Sequence, residues 1–231
     1  MTVSVQDVVD RAREILKDSS GIRWSDDEFV LWVNDAQREV VLYKPDAAAT
    51  TAVLTLATGT KQDLPAAANR LLRVVRNMSA ASGGVGGRVI RIVDREALDS
   101  QNPDWHDPSA TGWAAHGSVI KHYTYDEESP KTFYVFPGVK SGESVYIEAI
   151  YSSDPTSVTI SDNLSIADIY ANAILDFVLY RAYNKESEFA ADRSEADARY
   201  TKFLNSVGGK SQLDLVTTPN LRRTRTPNGD R

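Results

Sequence analysis

The sequence predicts an α+β protein: a discontinuous four-helix bundle interrupted by an inserted antiparallel β-barrel or sandwich-like domain, then an extended C-terminal tail. Three observations carry this. Both ends of the chain repeat apolar residues at helical spacing, the middle alternates them at strand spacing, and the order is helix pair, strands, helix pair. Four helices totalling under half the chain bury their apolar faces only against one another, so the two pairs must meet. The bundle takes residues 1–47 and 161–207, the β-rich insertion 48–160 and the tail 208–231.

Ser4-Val-Gln-Asp7 opens the first helix as a capping pattern, with Val5, Val8, Val9, Ala12, Ile15 and Leu16 on one face and Gly21 as the stop. Ser25-Asp26-Asp27-Glu28 is a second capping box, with carboxylates at the positive end of the helix dipole. Phe29, Trp32, Val33, Ala36, Val40 and Tyr43 form its apolar stripe, Trp32 among them as a core side chain, and Pro45 ends it. Near the C-terminus, Ile166, Ile169, Tyr170, Ala173, Ile174, Phe177 and Val178 carry one face of a third helix. Leu175, Leu179 and Tyr180 add apolar area elsewhere on it, which marks a helix touching several neighbours. Phe189, Ala196, Tyr200, Phe203 and Val207 mark the fourth helix, and Gly208-Gly209 closes it.

Between the pairs, strands are expected at 51–56, after the Thr58-Gly59-Thr60 turn, and at 71–75, 89–93, 119–125, 132–136 and 144–151. Residues 70–76 also fit a helix.

Composition narrows the function. The 231 residues include no cysteine, which removes thiol catalysis, cysteine-ligated zinc and iron–sulfur clusters. A net charge of −6 argues against a dedicated nucleic-acid binder. The longest apolar stretch, 166–180, contains Asp168 and Asp176, and the first residues lack a signal-peptide pattern. These point to a soluble protein of a cytosol-like compartment, with no membrane partner. The charge is uneven: residues 208–231 carry +3, leaving −9 for the rest.

Candidate chemistry is sparse. His106, His116 and His122, with Asp104 and Asp107, are the only conceivable metal set, and no pair has the i, i+4 spacing of a helical ligand pair. Ser82-Gly-Gly-Val-Gly-Gly87 is followed by a strand pattern and lacks Gly-Lys-Ser/Thr, so it reads as a hairpin tip rather than a phosphate loop. Asp26–Glu28 and Asp126–Glu128 read as a helix cap and a solvated turn. With no nucleophile motif, no catalytic residue, metal site or cofactor is assigned.

Two features suit binding. Trp105 and Trp113 lie in a polar, turn-rich stretch, where they either fold back onto the β-domain or anchor a protein interface. In the tail, Leu213, Leu215 and Val216 can add an edge strand or fill a groove, and Arg222, Arg223 and Arg225, between Pro219 and Pro227, suit an acidic partner.

The stretch RAREILKDSSGIRWSDDEFVLWVNDAQREVVLYKPDA resembles the start of tailed-bacteriophage head-to-tail adaptor proteins of the connector, tail-tubular or gatekeeper type. The similarity continues through LTLATGTKQDLP, RLLRVVRNM and the NPDWH loop, and returns in IADIYANAILDFVLYRAYNKESEFAADRSEADARYTKFLNSVGGK, covering most of residues 11–210. The resemblance implies a structural, non-catalytic neck protein assembled in the host cytoplasm. It implies a homo-oligomeric ring of twelve subunits joining the portal to the tail or nozzle protein, with DNA passing through unread. It also implies that the tail clasps the portal, a role falling on Leu213, Leu215, Val216, Arg222, Arg223 and Arg225. An alternative from another class is a module that recognises a host or partner surface through Trp105 and Trp113. A metal-dependent hydrolase would need the three histidines to converge.

Overall fold

In chain order the computed structural model, which describes residues 2–185 and 190–217, runs α1 (Val5–Leu16), α2 (Asp26–Tyr43), β1 (Ala49–Thr55), β2 (Gly59–Asp63), β3 (Ala68–Met78), β4 (Gly86–Val89), β5 (Arg91–Ile92), α3 (Arg95–Gln101), β6 (His122–Tyr125), β7 (Thr132–Val139), β8 (Tyr146–Ser153), α4 (Ala171–Lys185) and α5 (Ala190–Thr217). The chain divides into two units: Met1–Lys44 with Thr156–Arg231, and Pro45–Pro155.

In the first unit both expected capping boxes form. Ser4 Oγ accepts from Asp7 N–H while the Asp7 carboxylate accepts from Ser4 N–H, and Ser25 and Glu28 repeat the exchange. Trp24 precedes the second cap and stands 6.4 Å from Phe29 on the first turn of α2, the placement of a hydrophobic staple. Helix α1 stops earlier than Gly21. Lys17 takes the left-handed conformation (φ 54°), and the enclosed Asp18 carboxylate accepts the N–H groups of Ile22, Arg23 and Trp24. A carboxylate that turns the chain this way makes a glycine stop unnecessary.

Helix α4 packs against α1, α2 and α5, as its broad apolar surface requires. It starts at Ala171, after a short 3-10 turn over Asp168–Tyr170, and Ile169 on that turn is 65% exposed rather than on the buried face. Phe177 on α4 meets Phe203 on α5 with ring centroids 5.2 Å apart, and Arg199 of α5 bonds to Asp176 of α4 and to Glu195. Two buried amides on α2 hold the chain returning to α4. Asn34 exchanges two bonds with the Val158 backbone, and the Gln37 carbonyl accepts from the N–H and hydroxyl of Ser165. On the same helix Phe29, Val33, Ala36 and Val40 are buried as expected, but Trp32 is only half-buried and Tyr43 is exposed.

The expected end of the last helix is also overturned: α5 continues through Gly208-Gly209 to Thr217, so residues 208–217 are helical rather than extended. Neither glycine has φ > 0, and a Cβ at either meets open space, so nothing there breaks the helix. Phe189 and residues 218–231 lie outside the described residues.

In the second unit the strands form two four-stranded sheets, ordered β1-β8-β3-β4 and β2-β7-β6-β5, rather than one closed barrel. Residues 70–76 are strand, not helix. The pairs are antiparallel except β5 with β6, which is parallel. Leu71, Val74, Ile147 and Ala149 of the first sheet share one core with Tyr123, Phe133, Val135 and Val139 of the second. The period of two along β7 turns Phe133 and Val135 into that core and leaves Tyr134 and Phe136 for the opposite face, where Leu98 and Trp105 cover them. The glycine-rich stretch is the β3–β4 hairpin connection, closed by bonds between Ser79 and Val85.

Candidate functional site

The tryptophan-bearing stretch begins at Asp94, whose carboxylate caps α3 by accepting from Glu96 N–H. This helix is absent from the sequence-based expectation, although Asp94 before Arg95-Glu96-Ala97-Leu98 is a capping signal. It places Leu98 and Asp99 for Trp105. The Trp105 indole N–H donates to Asp99 at 2.8 Å, and its ring, wholly enclosed, packs with Leu98 and Phe136. Of the two alternatives for this stretch, folding back onto the β-domain or anchoring an interface, the enclosed ring of Trp105 takes the first. Trp113 takes the opposite placement. It stands on a 3-10 turn that begins at Gly112 (φ +66°), 65% exposed, with the Lys121 ammonium 4.5 Å from its ring centroid.

The three histidines have separate surroundings. His106 stacks on Trp105 with centroids 3.7 Å apart, and its Nδ1 lies 2.7 Å from the Thr60 hydroxyl. Burial, with the Arg95 charge, pushes its pKa below the ordinary imidazole value. The pKa of His122 is pushed below the ordinary imidazole value by burial and by the charges of Arg88, Lys121 and Arg91. His116 lies against Gly138, where even a Cβ would be within 2.6 Å of the ring. Among the described residues no three His, Asp or Glu side chains gather as metal ligands. Asp104 sits in a turn, and Asp107 is held ionised by bonds from Ser109. No described helix is long and apolar enough to cross a membrane.

Of the tail residues, Leu213, Leu215 and Val216 fall on the last turns of α5. Arg222, Arg223 and Arg225 lie outside the described residues.

The chain thus forms two separately cored units joined at two chain crossings, with Trp113 exposed over Lys121 on the second. The family model for the SU10 adaptor protein matches residues 3–224, and the chain belongs to that family, a family of phage head-to-tail adaptors. It is accordingly a bacteriophage structural protein of adaptor type, and membership implies oligomerisation and contact with portal and tail proteins in the virion neck. No curated protein matches the chain.

Proposed function

We propose that the protein is the neck adaptor that joins the portal to the tail or nozzle protein as a ring of twelve subunits, and that DNA passes through the ring without being read. The observation that carries this reading is the family match over residues 3–224, which spans both units and most of the basic C-terminal segment. The four long helices form the bundle that builds the ring. The β unit faces outward or towards the tail, where Trp113 is its exposed anchor. An acidic body suits a conduit that must not retain phosphate.

In this reading the end of α5 and the residues after it grip the portal. Leu213, Leu215 and Val216 supply apolar contact, and Arg222, Arg223 and Arg225 pair with carboxylates of the partner. The role is structural, with no catalytic step and no cofactor, and assembly takes place in the host cytoplasm.

The test mixes the full-length protein, and a chain truncated after Gly209, with the portal. Electron microscopy of the full-length mixture should show closed twelve-subunit rings on the portal. The truncated chain should keep its circular dichroism spectrum and lose docking. Normal docking of the truncated chain would remove the grip from this segment, and a ring of another number would correct the stoichiometry.

A further inference from the structure

The edge formed by β5 and β6 is charged oppositely at its two ends. The strands run parallel, with Arg91 beside His122 and Ile92 beside Tyr123. Running the same way, both have their preceding residues at one end and their following residues at the other. Arg88, Arg91 and Lys121 make the first end basic: Arg91 N–H donates to the Lys121 carbonyl, and the Asn77 side-chain amide donates to the Arg88 and Ile120 carbonyls beside them. Asp94, Asp126, Glu127 and Glu128 make the second end acidic and line one groove of about 710 Å³ with Ile92. Lys121 and Asp126 are five residues apart, so the two ends are separated by roughly 16 Å of strand.

Among the described residues these charges meet no opposite charge, although the Lys121 ammonium rests over the Trp113 ring. Among the described residues no carboxylate lies within ion-pair distance of Arg88, Arg91 or Lys121, and no cation within that distance of Glu127 or Glu128. Arg95, the one cation lining the groove, stacks on Tyr134 and pairs with Asp99. Between the two ends Ile92 is 63% exposed. β5 is the outermost strand of its sheet, and it bonds to β6 through the N–H groups of Arg91 and Val93. The Ile92 N–H and C=O between them therefore face away from β6.

We propose that this edge is a self-recognition surface, on which a second copy of the chain docks antiparallel about a twofold axis. That arrangement lays the basic end of each strip on the acidic end of the other, twice over, and brings the two Ile92 side chains together at the centre. Charge complementarity selects a second copy as the occupant. Both signs lie on one strip, so the contact closes at two chains instead of propagating as a head-to-tail ring contact does. It is distinct from the ring contact above and forms between unassembled chains. A strip this short gives a weak, salt-sensitive dimer.

Sedimentation velocity on the full-length chain, from about 10 µM to 1 mM, tests it. At about 50 mM NaCl a monomer–dimer equilibrium is expected, and at about 500 mM the dimer should weaken at least tenfold. The double variant Arg91→Glu/Lys121→Glu leaves Arg88 as the only cation of the basic end, and Glu127→Lys/Glu128→Lys leaves Asp94 and Asp126 as the only carboxylates of the acidic end. Each alone should be monomeric, with its thermal melt confirming the fold. An equimolar mixture should restore the dimer. A wild-type chain that stays monomeric throughout, association that ignores both variants, or a mixture of the two variants that stays monomeric would each overturn the proposal.

Discussion

Each unit carries two tryptophans eight residues apart, and in each the first is enclosed while the second is not. Trp24 is 2% exposed, held before the α2 cap against Phe29 under the Asp18 turn. Trp32 lies two turns into α2, edge-on to the same Phe29, and remains half-buried. In the β unit Trp105 is enclosed by α3 and the outer face of β7, and Trp113 stands free over Lys121. The same side chain is core in one place and surface in another. What separates them is whether a second element arrives to cover the ring.

The largest effects should come from the enclosed pair. Trp105→Ala and Trp24→Ala should each cost about 3–5 kcal/mol of unfolding free energy in urea. A loss below about 1 kcal/mol at either site would break the contrast with its neighbour. Trp32→Ala should cost clearly less than Trp24→Ala in the same titration, because part of its ring already meets water.

Acid sharpens the comparison from another side. The carboxylates that build the Trp24 turn and its neighbouring caps, Asp18, Glu28 and Asp7, are all held below their ordinary pKa. In Glu28 the bond from Lys185 leads, and in Asp7 the bond with Ser4 leads. In Asp18 burial opposes the shift, and the backbone bonds from Arg23, Trp24 and Ile22 outweigh it. A depressed folded-state pKa contributes stability above the unfolded value and loses it as pH falls through the folded one. Lowering pH below about 4 should therefore reduce the urea midpoint, and Asp18→Asn should flatten that dependence. Asp18→Asn retaining the wild-type pH profile would remove the turn as a cause.

The smallest effect on stability belongs to Trp113. Trp113→Ala should change unfolding free energy by no more than about 0.5 kcal/mol. Measured binding to the tail-side partner should nevertheless weaken, and unchanged affinity would remove Trp113 from the interface.

Legibility follows the range of the interactions. The capping boxes at Ser4 and Ser25 were readable because a cap is complete within four residues. The staple of Trp24 on Phe29 and the Asp94 cap of α3 carry signals just as local, although the expected elements do not include them. The Asp18 turn was not legible, since nothing in Asp18-Ser-Ser-Gly21 shows that the carboxylate will be enclosed. Gly208-Gly209 misled in the opposite direction: two glycines disfavour a helix without forbidding it, and α5 continues through them. For the candidate site, sequence located the loop and both tryptophans but did not separate their fates. Trp105 meets Phe136 thirty-one residues away in sequence, through a sheet face that exists only once β7 is paired.

By itself the sequence determined the α+β class, the order of helices and strands, and two helix starts, because periodicity and caps act over a few residues; the adaptor resemblance rests instead on cumulative similarity along residues 11–210. The tertiary structure decided the rest. It split the strands into two sheets, set β5 parallel to β6, chose which tryptophans are core, and carried α5 past its glycines. Each of those outcomes depends on pairing or burial between residues far apart in the chain, where local spacing carries no information.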